Sequence, residues 1–377
     1  MTYAPRFTLT PAMLDAMALI GAYRSTVSLL PLPLAIERRL RRETRVRVAH
    51  NSTWIENRTL ALEEAAAVIA DKALADPSRG KEQAAQEVRN YFQALEFLDL
   101  HADATPDEDF ICRLHAIIMR GAAGGRPRER STYRRDNLRV GNFVYIPPAH
   151  EDVPGLMADL AAWAIGPGQQ LPRPLFAAIL AYQFVTIHPF HDGNGRTCRA
   201  LASWVLRGPD DATAIDPLGL LNVEEFYAAD LEGYYNALQM GCHFSYYDHS
   251  EHGSRSDPDL QPWLTYVLTM LARSATQVGQ VISERFRTAH RDLLTDPVAA
   301  WPRTFRRLVI RLANPSQAFG PADVAAALQV SDRTARSWLQ DWHQIDLIAP
   351  LRPDAQRIHA WVLSPASADV VARELAP

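Results

Sequence analysis

Apolar residues recur along most of this chain at the three- and four-residue spacing of helices, and seldom at the two-residue spacing of strands. Residues 33–52 place Ile36 and Leu40 four apart among arginines, which predicts a helix with a charged face. Arg45-Val46-Arg47-Val48 within it also alternates as a short strand would. Amphipathic helices are predicted over 60–73 and 83–98. Thr105-Pro106-Asp107-Glu108 reads as a capping box with proline at the first helical position, opening a helix that reaches about residue 120. The Gly-rich stretch 121–128 reads as a loop, and so does the polar stretch 242–260. Further helices are predicted over 152–164, 174–187, 196–206 and 223–240, the last opened by Asn222 with Glu225 three residues on. A helical spacer follows over 261–289. Strand material before the C-terminus is confined to 138–146, where Val140, Val144 and Ile146 around Gly141-Asn142 predict a short hairpin ended by Pro147-Pro148.

From about residue 302 the pattern changes. A helix is predicted over 303–312, a short one over 322–328 after Gly320-Pro321, a turn at 329–332 with Ser331 as N-cap, and another helix over 333–342. Leu347-Ile348 and residues 358–363 suit two strands around Arg352-Pro353-Asp354. Helix, helix, turn, helix and β-ribbon is the layout of a winged helix-turn-helix. Eight arginines against five aspartates over 303–360 make this segment net positive, although the whole chain carries −4. Arg333 and Arg336 lie where a recognition helix would meet DNA. Such modules also dock proteins, so both kinds of partner stay open at this segment.

Composition adds limits. A length of 377 residues suits two to three domains, and 47% hydrophobic with 22% charged residues is ordinary globular usage. Lys72 and Lys81 are the only lysines among 39 cations, so an anion site here relies on arginine or backbone. Cys112, Cys198 and Cys242 are too few and too scattered for a disulfide framework. Cys242-His243 with His249 and His252 lacks zinc-site spacing. No signal-peptide layout opens the chain, and no apolar stretch reaches about 18 residues, so a soluble cytoplasmic protein with no membrane partner is expected.

The stretch that carries chemistry is His188-Pro189-Phe190-His191-Asp192-Gly193-Asn194-Gly195-Arg196-Thr197-Cys198-Arg199. An apolar helix ends at Ile187, with Pro189 helping to stop it. Gly-Asn-Gly permits the positive φ angles that turn successive N–H groups inward. A new helix begins near Gly195 and points its first N–H groups and its dipole at the same spot. Arg196 and Arg199, three apart, face roughly the same way. The result is an anion site of N–H donors and two guanidinium forks, suited to a polyphosphate. Asp192 is a hard oxygen ligand at its lip, in position for Mg²⁺ shared with phosphate oxygens. His188 can accept a proton at neutral pH. Singly each residue has an ordinary structural use, as turn, cap or core histidine. Their order between two helices is what gives them a joint meaning.

This stretch resembles the signature of the Fic (filamentation induced by cAMP) domain family, His-x-Phe-x-Asp/Glu-Gly-Asn-Gly-Arg-x-x-Arg, at all eight defined positions. The resemblance spans roughly residues 30–270. It implies a mainly α protein, a Fic-type helical bundle with a β-hairpin flap, followed by the winged helix-turn-helix. It divides the chain into an N-terminal helical region (1–104), a catalytic core with helical spacer (105–290) and the winged helix (300–377). The implied activity is transfer of AMP from ATP to a Ser, Thr or Tyr hydroxyl of a target protein, with release of pyrophosphate. His188 would be the base, Asp192 would hold Mg²⁺, and Phe190 would anchor the loop. Gly193, Asn194, Gly195 and Arg196 would cradle the phosphates, and Arg199 would reach the γ-phosphate. Val140, Gly141, Asn142, Phe143, Val144, Tyr145 and Ile146 resemble the flap that lines up the target by strand addition. Tyr234-Tyr235 is similar to the family's tyrosine pair beside the adenine, though the segment from Tyr235 to Pro262 is long for the family.

Ser52-Thr53-Trp54-Ile55-Glu56-Asn57 fits the family's inhibitory motif, Ser/Thr-x-x-x-Glu-Gly/Asn, and lies N-terminal to the core as in the class that brakes itself in the same chain. The resemblance implies that Glu56 pairs with Arg199 and denies the γ-phosphate its partner. Read without the family, the same residues form a helix end with Asn57 as its left-handed cap. Three matters stay open at this level. Related proteins also use the inhibitory Glu to remove AMP from a modified target. The winged helix points alternatively to a DNA-binding regulator. The identity of the target, the chain itself being one candidate, and the oligomeric state, a homodimer being one candidate, are not readable.

Overall fold

A computed structural model describes residues 3, 5–30, 32–74, 78–121, 129–140, 145–208, 213–240, 253–254, 257–293, 298, 301–312, 317–328, 330–352 and 358–374. The chain divides into two compact units. The first joins residues 1–25 to 43–279, and the second joins 26–42 to 280–377. The boundary expected after residue 104 therefore falls inside one unit.

The first unit is helical: α1 (Pro11–Leu29, shared with the second unit from Thr26), α2 (Leu34–Asn57, shared from Glu43), α3 (Leu62–Ile69), α4 (Arg79–Leu100), α5 (Glu108–Ile118), α6 (Val153–Ile165), α7 (Arg173–Ile187), α8 (Asn194–Arg207), α9 (Val223–Ala229), α10 (Leu231–Met240) and α11 (Gln261–Leu293, shared to Gly279). Its centre is α7, in which every residue from Pro174 to Ile187 except Val185 is buried. A helix apolar all round must lie inside. It packs along α8, whose buried stripe runs through Leu201, Trp204 and Val205, and α4, α5 and α6 close around the pair. Phe110, Trp204 and Phe97 stack between α4, α5 and α8. Burying one such ring contributes roughly 1.5–3 kcal/mol, which makes this hairpin a rigid base for the loop between its helices.

Several expected boundaries move. Helix α2 runs unbroken through the Arg45–Val48 alternation. Asp107 rather than Thr105 caps α5, its carboxylate accepting from Phe110 N at 2.8 Å, because the helix starts after Pro106 instead of on it. The helix expected over 223–240 breaks at Asp230, which accepts from Gly233 N at 3.1 Å and so caps α10. Of the hairpin expected over 138–146, the described residues show the antiparallel bridge Val140 to Tyr145, and residues 141–144 lie outside the described residues. Cys242, His243, His249 and His252 also lie outside them. Within 242–260, β1 (Gly253–Ser254) pairs with β2 (Asp257–Pro258).

In the second unit α12 (Arg303–Arg311), α13 (Pro321–Leu328) and α14 (Asp332–Gln344) precede an antiparallel pair, β3 (Ile348–Pro350) and β4 (Trp361–Leu363), and α15 (Pro365–Glu374) ends it. Ser331 caps α14 as expected, accepting from Thr334 N at 3.1 Å. Leu34, Phe305, Leu308, Trp342, Ile348 and Trp361 form its core. Buried Arg306 is neutralised by Glu37 at 3.0 Å and also donates to the Leu32 carbonyl. Among the described residues no helix is long and apolar enough to cross a membrane.

Candidate active site

The loop between α7 and α8 starts with a strained residue. His188 caps α7 in the left-handed region at φ 53°, which non-glycine residues seldom adopt. Arg134 holds it there: Nε donates to the His188 carbonyl at 2.9 Å, the Arg134 N–H donates to Pro189 O at 2.9 Å, and Nη2 donates to Pro148 O at 2.6 Å. A cation on the last carbonyls of a helix also suits its dipole. The Nδ1 of His188 faces the Val185 carbonyl at 3.2 Å. A carbonyl only accepts, so the proton sits on Nδ1 and Nε2 keeps its lone pair. Burial pushes the imidazole pKa down to about 4, which keeps it neutral at pH 7.

Asn194 staples the loop. Its Oδ1 accepts from Phe190 N at 3.0 Å, and its Nδ2 donates to Phe190 O at 2.8 Å. Its amide is thereby used inside the loop, so what Asn194 can offer an anion is its backbone N–H. Phe190 is buried and stacks on His115 with ring centroids 3.6 Å apart. His115 Nε2 lies 2.8 Å from the Asp192 carbonyl and Nδ1 lies 2.7 Å from Ser131 Oγ. The carbonyl requires Nε2–H, so the serine hydroxyl donates to Nδ1. Gly193 follows at φ 76°, and a Cβ there would meet Met119 Sδ at 2.6 Å. Only glycine satisfies both constraints.

Helix α8 then begins. The Thr197 N–H returns to Gly193 O at 2.9 Å, while the N–H groups of Asn194, Gly195 and Arg196 have no acceptor among the described residues. These are the free donors of a helix start, aimed at the loop's concave side. Asp192 stands at the lip with an exposed side chain, and Oδ1 accepts from Gly193 N at 2.6 Å and from Arg196 Nη2 at 3.1 Å. No group of three or more His, Cys, Asp or Glu suited to a metal occurs among the described residues. A metal here would therefore need ligands from a bound phosphate as well as from Asp192.

Arg199 is buried and taken up by α2. Its Nε donates to Ser52 Oγ at 2.9 Å, and its Nη2 donates to the Ser52 carbonyl at 2.8 Å and to Glu56 Oε1 at 2.7 Å. Ser52 and Glu56 are four apart, hence on one face of the helix. Burial works to lower the Arg199 pKa, but Glu56 together with Tyr234, Cys198 and Tyr91 outweighs it and holds the guanidinium charged. A Cβ on Gly195 would collide with the Glu56 carboxylate, so glycine at this position is what lets Glu56 lie against Arg199. Arg196 sits beside buried Glu87 of α4, Nη1 to Oε2 at 3.2 Å.

The remaining expected residues lie nearby. Tyr234 is buried with its hydroxyl 3.5 Å from Arg199 Nη1, and Tyr235 is exposed and set edge-on to it at 5.2 Å. Val140, Tyr145 and Ile146 of the flap are described, and Tyr145 is anchored by donating to Thr186 O at 2.5 Å. Gly141, Asn142, Phe143 and Val144 are not. Arg134, His115 and Glu87 carry much of this architecture and had no sequence signal, since each acts through a contact more than 50 residues away.

Residues 105–206 match the Fic/DOC family model. A protein adenylyltransferase Fic from Nematostella vectensis is 30% identical over 161 residues, 42% of this chain and 36% of that protein. The protein adenylyltransferase fic-1 of Caenorhabditis briggsae is 30% identical over 176 residues, 45% and 33% of the two chains. The aligned part thus spans about a third of these curated relatives. Among solved structures, a Fic family protein from Desulfovibrio desulfuricans superposes with a TM-score of 0.58 at 27% identity, over 96% of this chain and 99% of that one. A Fic domain containing signaling protein from Bacteroides thetaiotaomicron shares the fold at 20% identity and a TM-score of 0.56, over 72% and 98%. The helical fold, the loop from His188 to Arg199 and these matches agree: residues 105–206 of the chain are similar to the Fic/DOC family.

Proposed function

We propose that this protein transfers AMP from ATP to a hydroxyl group of a protein, and that α2 holds it in an inhibited state. The observation that carries the reading is the juxtaposition at one loop of a neutral imidazole with a free Nε2, three unpaired helix N–H groups and two guanidinium ions. The acceptor oxygen attacks the α-phosphorus and its proton passes to His188 Nε2. The bond from the α-phosphorus to the bridging oxygen breaks, and pyrophosphate leaves. Such transfer depends on positioning and on neutralising phosphate charge more than on covalent help. Mg²⁺ would be held by Asp192, whose exposed carboxylate has one oxygen engaged, and would supply charge neutralisation at the phosphates.

The brake works by competition for Arg199. Ser52 and Glu56 occupy the donors that a γ-phosphate would need. Tyr235 offers an exposed ring for the adenine. The order α12, α13, α14, β3, β4 supports a winged helix-turn-helix in the second unit. Incubation of Glu56→Gly with ATP, Mg²⁺ and cell lysate tests the activity. Label from the α-phosphate is expected in protein and label from the γ-phosphate is not. Protein labelled by both, or by neither, overturns the reading.

A further inference from the structure

Helix α2 ends one residue past Glu56, and the left-handed residue that closes it is Arg58 at φ 46°, not Asn57. Asn57 is thereby free to use its side chain elsewhere. Its Oδ1 accepts from Thr59 N at 3.3 Å, and its Nδ2 donates to Glu87 Oε2 at 2.6 Å. Glu87 lies on α4, buried, with Oε1 accepting from Gln83 at 3.2 Å. The same Oε2 that receives Asn57 lies 3.2 Å from Arg196 Nη1. One buried carboxylate therefore stands between the end of the inhibitory helix and the first arginine of the phosphate loop. Arg196 Nε and Nη1 have no hydrogen-bond partner among the described residues, so charge and not a saturated bond draws the guanidinium to Glu87.

We infer that the Asn57–Glu87 contact is a second inhibitory contact, a latch that holds the end of α2 in place independently of Glu56. The inference rests on the braked AMP-transfer reading above. A charge-assisted hydrogen bond present in the closed state and absent in the released one sets the ratio of the two. The other partners of Glu87, Gln83 on α4 and Arg196 on α8, do not involve α2, so the Asn57 bond is the contact that release of α2 would break.

The test is N57D. It keeps the acceptor for Thr59 N–H, removes the donor to Glu87 and sets two carboxylates against each other, at an exposed position where the fold tolerates it. Transfer from α-labelled ATP is expected to rise about tenfold, less than with E56G, with tighter equilibrium binding of ATP. In an E87Q background the same substitution is expected to give a much smaller rise, because the glutamine amide can donate to the new carboxylate. Wild-type transfer by N57D, while E56G is active, overturns the latch and leaves the brake intact. An equal rise in both backgrounds overturns it too, placing the effect in the helix end. Failure of E56G itself to raise transfer overturns the brake and the latch together.

Discussion

Replacing Glu56 tests the site most directly, because its contribution can be worked from the contacts. Arg199 has three strong bonds to α2, two to Ser52 and one to Glu56 at 2.7 Å. Truncating one side of a fully buried ion pair costs about 3–5 kcal/mol, whereas an exposed pair is worth about 0–1 kcal/mol. Arg199 is 4% exposed and Glu56 34%, so the pair lies between these limits. A value of about 2 kcal/mol follows, lost only from the inhibited state. At 1.4 kcal/mol per tenfold, the released fraction of Glu56→Gly rises about thirtyfold. Glu56→Gln keeps an acceptor without the charge, and about fivefold is expected. The two Ser52 bonds remain, which bounds both figures. The assay is initial transfer of α-labelled ATP at subsaturating concentration, giving kcat/KM. A Glu56→Gly value within about twofold of wild type would refute the claim that this carboxylate is what withholds Arg199.

Other outcomes follow from the same contacts. His188→Ala in the Glu56→Gly background is expected to lose transfer by a factor of about 10²–10⁴ while ATP binding, measured by calorimetry, is retained; lost binding would instead make His188 a structural cap. The pH dependence has a definite sign. An imidazole depressed from its ordinary value to about 4 is already neutral well below pH 6, so the acid limb of kcat/KM should lie near pH 4 to 5, and a limb near 6.5 contradicts the burial argument. The same depression means that the unfolded chain binds the extra proton first, so stability is lost as pH falls from about 6.5 toward 4, visible in urea melts across that window. Glu56→Gly should also melt at lower temperature than wild type and gain more from added ATP, since a buried guanidinium is left short of an anion; equal gains would show that ATP does not reach Arg199.

The local patterns were legible in the sequence to different degrees. Helix α7 and the start of α8 were visible because an unbroken apolar run must be buried and because Gly-Asn-Gly soon after it allows the tight turn into a second helix. The cap of α5 shifted by two residues because either Thr105 or Asp107 could accept from the first turn, and Pro106 settles the choice only in three dimensions. Helix α1 was missed. Its alanines and leucines spread around the helix with little amphipathic contrast, and spacing alone does not separate such a stretch from a linker. The alternation at Arg45–Val48 favoured neither strand nor helix, and tertiary burial of Val48 and Ala49 decided it.

The site was legible where its chemistry is contiguous and silent where it depends on distant partners. His188, Asp192 and the two arginines lie within twelve residues, so their spacing alone brings them together. Arg134, His115 and Glu87 come from other elements, and no local pattern marks an arginine that will hold a helix end or a histidine that will stack under a loop. Their presence bears on the brake. Loop donors are expensive to orient, and here the neutral His115, the Asn194 amide and Arg134 fix that orientation with contacts that leave the helix N–H groups unspent. On the proposed reading, a loop so fully assembled leaves regulation little to act on except access to its cations. The two arginines are where inhibition can act without dismantling the loop, and each of them has an acid beside it: Glu56 at Arg199, which α2 carries directly, and Glu87 at Arg196, which α2 reaches through Asn57.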